Sequence, residues 1–301
     1  MTRENDHATR ERSRVAIVTC EMFPDLEQDD RLLRDALRER GADVDAVLWD
    51  DPVADWSAYD LVVIRSPWDY TERRDAFVAW AHTVPRLANP ADVVEWNTDK
   101  HYLRELAAHG LPVTPTEYVE PGKPWTPPPT GEWVVKPTIS ASSRDTGRYR
   151  MPAEVSLALA HVRRLSDAGR TTMIQPYLSA VDTAGETSVL MTPDAAGELT
   201  FSHAVRKGPM LTGPDMQRPH EEYTEEIAPR TPTDAELALA ARAVSVVPGG
   251  PARLLYARVD LIPGPDGEPV LIELELTEPS LFLREAKGAA GRLADAVLAR
   301  M

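Results

Sequence analysis

Cysteine is almost absent. Cys20 stands alone in 301 residues, so no disulfide can close within the chain, and its place at the end of an apolar run reads as a buried strand position. No apolar run approaches the roughly 20 residues of a membrane helix. The first 13 residues, MTRENDHATRERS, have no apolar core of a signal peptide and read as a disordered tail. These absences predict a soluble, cytoplasmic protein with no membrane partner. Positive charge is short as well, at 33 Lys and Arg against 48 Asp and Glu, a formal net charge of -15. That disfavours a nucleic-acid partner and leaves room only for a local basic pocket. Lysine is scarcer still. Only Lys100, Lys123, Lys136, Lys207 and Lys287 occur, the other basic residues being Arg. Such a bias is usually genomic, yet it draws attention to each compact ammonium that remains. Neither G-x-x-x-x-G-K-[ST] nor G-x-G-x-x-G is present, so the common glycine-rich phosphate loops are excluded.

What is present is a patterned globular chain, 43% hydrophobic and long enough to bury roughly three quarters of its unfolded surface. RVAIVTC (14–20), ADVDAVLW and YDLVVIRSP read as strands, and EQDDRLLRDALRERG and TERRDAFVAWAHTV as helices. That alternation predicts a small parallel α/β unit, with ligands beyond the carboxyl ends of its strands. CEMFPD and RSPWDY then lie at a substrate edge. Arg65 there is either salt-bridged to a neighbour such as Asp69 or free to capture a substrate carboxylate, Glu21 could take an ammonium group, and Asp69 is a further candidate substrate contact. In the next region Asn97 or Thr98 should cap a helix with Lys100 in its first turn. WVVKPT ends at Lys136, ISASSRDTGRYR (139–150) reads as a loop, and TMIQPYL as a strand. The last part is richer in strands, with a polar loop over 208–229 and the helix TPTDAELALAARAVSVV.

LLYARVDLI and PVLIELEL read as a hairpin turning at Pro-Asp-Gly. Counting outward from the turn sets Asp260 opposite Glu273 and Arg258 opposite Glu275. Ile272, Leu274 and Leu276 point to the other face, toward the core. Such a face is either a solvated sheet surface or a metal site. Two carboxylates about 4 Å apart repel by roughly 4 kcal/mol at an effective dielectric of 20, and a cation between them reverses the sign. Oxygen-only donors suit Mg²⁺ or Mn²⁺, which is typically shared with substrate phosphates.

The order Asn-Thr-Asp-Lys100, Val-Val-Lys136-Pro, a Ser-rich loop, Gln175-Pro-Tyr177-Leu178, Gly185-Glu186, Arg258-Val-Asp260 and Glu273-Leu-Glu275 resembles the ATP-grasp superfamily of carboxylate–amine ligases over residues 90–285. D-alanine–D-alanine ligase and bacterial glutathione synthetase are members. The short chain, RSPWDY and ELELTEPSLFL are similar to the subgroup that closes the ring of D-cycloserine from O-ureido-D-serine. The resemblance implies an α/β (α+β) ATP-grasp fold behind a Rossmann-like domain. The expected divisions are 1–13 (tail), 14–92 (substrate domain), 93–178 (small subdomain) and 179–301 (subdomain with the metal).

The same resemblance implies roles. Lys100 and Lys136 would hold phosphates, with Ser140, Ser142 and Ser143 in the loop closing over them. Gln175, Tyr177 and Leu178 would line adenine, Glu186 the ribose, and Arg206 or Lys207 a further phosphate. Asp260, Glu273 and Glu275 would hold two Mg²⁺, Arg258 would stabilise the transferring phosphoryl group, and Ser280 would touch the acceptor. Many relatives carry Asn at the position of Glu275, and the extra charge here should tighten Mg²⁺. The implied reaction is ATP-dependent activation of a carboxylate on a small amino-acid-like substrate, followed by attack of an amine. An ATP-grasp kinase and a non-catalytic nucleotide-binding regulator are the alternatives, and a homodimer is compatible with all three.

Overall fold

The computed structural model describes residues 12–215 and 226–301. Most of the expected tail and the middle of the expected loop over 208–229 lie outside these residues. The first sheet is parallel, in the order β2-β1-β3-β4, from β1 (Arg14–Thr19), β2 (Asp43–Leu48), β3 (Leu61–Ser66) and β4 (Leu87–Ala88). The two central strands are apolar along nearly their whole length because both faces are covered. Helix α1 (Gln28–Glu39) lays Leu33 and Leu37 on one face, together with Leu293 and Val297 of the C-terminal helix. Helix α2 (Arg74–Thr83) lays Phe77 and Ala81 on the other. Cys20 is buried there, as its sequence context suggests, with its thiol on the Ser66 carbonyl.

The helix expected to begin at Asn97 or Thr98 is replaced by two. Helix α3 (Ala91–Asn97) ends where a start was expected, and α4 (Tyr102–Ala108) begins after Lys100. Lys100 lies in the connection, its amide on the Thr138 carbonyl at 3.0 Å. The second sheet is antiparallel, in the order β5-β8-β6-β7, from β5 (Glu117–Val119), β6 (Gly131–Pro137), β7 (Gly147–Met151) and β8 (Thr172–Pro176). Helix α5 (Val155–Asp167) covers its outer face.

The third sheet is also antiparallel, in the order β11-β10-β9-β12-β13. The short α6 (Val181–Ala184) leads into β9 (Glu186–Pro193), followed by β10 (Leu199–Lys207) and β11 (Ile227–Pro229). Helix α7 (Asp234–Ser245) starts at a reciprocal capping box between Thr233 and Glu236 and packs beneath the sheet with α4. The hairpin of β12 (Ala257–Pro263) and β13 (Pro269–Glu275) follows, and α8 (Ala289–Leu298) ends the fold.

In that hairpin Arg258 pairs with Glu275 and Asp260 with Glu273, as counted from the turn. The alternation then breaks. Leu261 pairs with Leu271, so Ile272 is an extra residue in a β-bulge. Leu271, Leu274 and Leu276 enter the core, whereas Ile272 turns to the cavity on the opposite face, correcting its expected core position.

β13 is an edge strand, yet its polar groups are satisfied. The Asn97 amide donates to the Leu274 carbonyl and accepts from the Leu276 amide, both at 2.7 Å. Tyr102 accepts from the Leu274 amide, and Asn89 bonds the Leu276 carbonyl. Thr114 and Pro112 pair with Leu271. Side chains thus replace a neighbouring strand and fix the register of the carboxylates. Asn97→Ala strands two buried backbone groups at about 1–3 kcal/mol each. Urea unfolding should show a loss of about 2–6 kcal/mol; an unchanged midpoint would remove Asn97 from this role.

Candidate active site

The second and third sheets face each other across a cavity of about 640 Å³, within the usual range for a small-molecule site. Strand alternation sets what faces it. On β6, Val135 goes to the core with α5, while Val134 and Lys136 face the cavity. On the third sheet Val189, Val259 and Leu274 go to the core with α7, leaving Glu186, Arg258, Asp260, Glu273 and Glu275 on the cavity side. Gly185 sets the entry to β9: its φ is +75°, and a Cβ there would lie 2.6 Å from the Lys207 carbonyl oxygen. Three of the chain's lysines, Lys100, Lys136 and Lys207, line the cavity; Lys123 and Lys287 are exposed.

Charge is nearly matched within it. Lys207 contacts Glu186 and lies 3.2 Å from Asp260. Arg258 bonds Asp260 at 2.9 Å and contacts Glu275. Lys100 lies 3.0 Å from Glu273 and donates to the Ser140 carbonyl at 2.7 Å. Burial works to raise Asp260, but Arg258 and Lys207 outweigh it and hold the carboxyl well below its usual range, with a 2.6 Å bond from Ser188 assisting. Burial pushes Glu275 up to about 8 against the pull of Arg258, and Glu273 and Asp260 add to the rise. Burial likewise lifts Glu186 to about 7, opposed by Lys207. Lys136 differs. Burial and the neighbouring Lys100 lower its ammonium, and among the described residues no carboxylate stands within ion-pair distance of it.

The expected metal carboxylates therefore share one face, but each is turned onto a protein cation. Among the described residues no three Asp, Glu, His or Cys side chains converge as a metal-holding group. Other expected site residues divide. Ser140, Ser142, Ser143, Gln175, Tyr177, Leu178, Glu186 and Ser280 line the cavity. Gln175 is fixed by Thr116 at 2.9 Å, and Arg148 stacks over the Tyr177 ring. Of Arg206 and Lys207, the lysine faces inward; Arg206 instead donates to the Ala184 carbonyl on the far side of the strand.

Three N-terminal expectations are corrected. Glu21 is exposed, in the turn beyond β1, and does not line the cavity. Asp69 is occupied by the Trp49 indole and Arg73. Arg65 is buried on Asp30 at 2.9 Å and on the Pro279 carbonyl, so its salt bridge exists with a different partner than Asp69 and its side chain does not line the cavity. Residues not singled out in the sequence include Val134, Ile262, Ile272 and Met210 as apolar walls, and Glu278 at the N-terminal end, where Trp68 and Tyr70 of RSPWDY also line the cavity. The alternation of WVVKPT is the signal available for Val134.

The Ser-rich loop takes left-handed conformations at Ser142, Ser143 and Asp145, with φ of 54°, 53° and 53°. For residues other than glycine this costs about 1–2 kcal/mol each. Arginines offset the strain: Arg164 bonds Asp145 at 2.6 Å, and Arg170 contacts Asp145 and the Ile139 carbonyl. Arg164 also reaches Asp215, beside buried His161, whose Nδ1 is 2.7 Å from the Tyr149 hydroxyl. Burial lowers His161 to about 4, with Asp215 opposing. An unfolded imidazole takes its proton near pH 6.5 and the folded one refuses it until about pH 4. Stability is therefore present above pH 6.5 and is lost as pH falls toward 4, by about 1–2 kcal/mol at pH 5. Urea unfolding at pH 7 and pH 5 should show this slope in the wild type and a flatter one in His161→Gln; equal slopes would contradict it.

Comparison with known proteins bears on the whole chain. Residues 15–89 match the N-terminal domain family of the D-cycloserine synthetase DcsG. The cycloserine biosynthesis protein DcsG of Streptomyces lavendulae is 37% identical over 308 residues, covering 95% of this chain and 98% of that protein. The crystal structure of a D-cycloserine synthetase DcsG superposes with a TM-score of 0.83 at 35% identity, covering 96% of this chain and 99% of that one. D-alanine–D-alanine ligase of Bacillus anthracis shares the fold, with a TM-score of 0.62 at 13% identity over 96% of this chain and 97% of that one. Among the described residues no helix is long and apolar enough to cross a membrane. The chain belongs to the DcsG family of ATP-grasp ligases, and it is an ATP-dependent, ADP-forming ligase of small-molecule biosynthesis.

Proposed function

We propose that the chain phosphorylates the carboxylate of a small amino-acid-like substrate with ATP and then closes a ring onto it, as in the formation of D-cycloserine. The observation that carries this reading is the cavity itself, where Lys100, Lys136, Lys207 and Arg258 face a row of carboxylates between two sheets. Full-length similarity to DcsG supports the ring-closing form. A carboxylate oxygen attacks the γ-phosphorus and the bond to ADP breaks. The amine-type nitrogen of the same molecule then attacks the acyl carbon, phosphate leaves, and the nitrogen gives up its proton. With O-ureido-D-serine that nitrogen still carries its carbamoyl group, and water cleaves the bond between them to release carbamate and leave D-cycloserine. The protein contributes orientation and charge stabilisation rather than a covalent intermediate of its own.

In this reading Lys100, Lys136 and Lys207 hold phosphates and Arg258 meets the charge on the transferring group. The bulged Ile272 and Val134 sandwich the base, next to Gln175, Tyr177 and Leu178. Asp260, Glu273 and Glu275 fit a divalent cation by their chemistry, being oxygen donors only and gathered on one wall of the cavity. Two Mg²⁺ would be held there, supplying charge neutralisation for the phosphates. Residues 14–92 would carry the substrate, and 93–178 with 179–301 would grip the nucleotide.

The test is release of ADP with mass detection of the product, using O-ureido-D-serine and related amino acids. The reading expects ADP and a cyclised product in equal amounts; ADP with a stable phosphorylated product would mean a kinase, and no turnover would refute the reading. Lys136→Met should weaken ATP about 10- to 100-fold, the range for a charged hydrogen bond. Lys123→Met and Lys287→Met should match the wild type in calorimetry, and equal affinity in all three variants would reject the assignment of Lys136.

A further inference from the structure

Among the described residues, two ionic groups in the cavity have no opposite charge within ion-pair distance. One is Lys136. The other is Glu278, three residues past the end of β13. Glu186, Asp260, Glu273 and Glu275 each have a Lys or Arg nitrogen within 4 Å. Among the described residues Glu278 has none, and its hydrogen-bonding neighbour is the Tyr70 hydroxyl. Burial raises its carboxyl, while Tyr70, Lys100 and Arg258 pull the other way. A half-buried carboxylate in this state costs free energy unless something cationic meets it.

Glu278 is held in place. The Arg65 guanidinium donates to the Pro279 carbonyl at 2.5 Å and is itself fixed by Asp30. The Trp68 indole donates to the Glu278 carbonyl at 3.1 Å. Tyr256 reaches the Thr277 carbonyl at 2.9 Å and the Ile64 carbonyl at 2.7 Å. The motif RSPWDY therefore grips the turn TEPS from the first sheet, and Arg65 is a positioning residue acting through Pro279. Phe23, Trp68 and Phe282 line the same cavity as this carboxylate, the first two edge to face at 5.2 Å, and the Phe282 ring also lies under the Arg258 guanidinium. Aromatic rings and a carboxylate in one cavity suit an organic cation. They do not suit Mg²⁺, which keeps oxygen ligands and water.

We propose that Glu278, with Tyr70 and the rings of Phe23, Trp68 and Phe282, forms the subsite for the primary ammonium group of the substrate. The inference rests on the amino-acid ligase reading of the cavity and adds the group that selects an amino acid over a simple acid. Lys100 and Arg258 lie near enough to act on the Glu278 charge, so an ammonium there stands beside the phosphoryl-transfer residues.

The experiment uses the full chain with ATP and Mg²⁺, and compares O-ureido-D-serine with its des-amino analogue. The wild type should show a KM at least about 30-fold lower for the amino acid, as expected for a buried charge pair. Glu278→Gln should raise the KM for the amino acid by a similar factor, leave the KM for ATP unchanged, and erase the preference over the analogue. Equal KM values for the two compounds in the wild type overturn the inference without any variant. So does a folded Glu278→Gln protein with an unchanged KM, or one that loses ATP instead. Should the wild type release no ADP with any amino acid, the ligase reading fails separately. Calorimetry of D-cycloserine, which keeps a primary amine, then decides the subsite: weaker binding to Glu278→Gln supports it and equal binding rejects it.

Discussion

The pairing of Arg258 with Asp260 and Glu275 organises the cavity. A guanidinium buried between two carboxylates can remain only while both stay in register, because the loss of either partner leaves an uncompensated charge inside the protein. The hairpin provides that register, and the side chains of Asn89, Asn97 and Tyr102 hold its outer strand where no further strand could. A slip of one residue would turn Glu273 and Glu275 into the α7 core. The edge contacts are thus part of the chemistry, although none touches the cavity charges.

The same pairing explains how an acidic protein can receive a polyanion. Each of these carboxylates on the third sheet neutralises a lysine or arginine that a phosphate would want. In the proposed function binding would be an exchange, in which phosphate takes the cations and the carboxylates released from them hold a divalent ion. ATP without the ion would leave Asp260, Glu273 and Glu275 enclosed and unpaired. Lys136, which has no carboxylate within ion-pair distance among the described residues, would be the first contact.

The sequence made this face legible because a Pro-Asp-Gly turn and a period of two determine which residues oppose each other. It failed where regularity failed. Ile272 was expected in the core because a bulge cannot be seen in an alternating string. β7 reads as loop in the sequence because Arg148 and Arg150 interrupt its apolar residues, and their partner Glu132 lies on another strand. Lys100 reads as part of a helix that in fact starts after it. Arg206 and Lys207 differ only in which face each takes, which depends on where β10 pairs with β9. Glu278 was passed over although TEPS was noticed, because what sets it apart is Tyr70 and Trp68, some two hundred residues away. Glu21 and Asp69 were preferred for their place at a strand end, where the first belongs to solvent and the second to Trp49 and Arg73.

If the cavity works by exchanging ion pairs, ATP and Mg²⁺ must bind with strong mutual dependence. Calorimetric titration of the wild-type protein with ATP, once with Mg²⁺ and once with chelator, measures this directly. The account predicts an affinity higher by about tenfold or more with the ion, within the usual range of coupling between sites. Equal affinity in the two titrations would contradict it, because the carboxylates would then not be the partners that phosphate displaces.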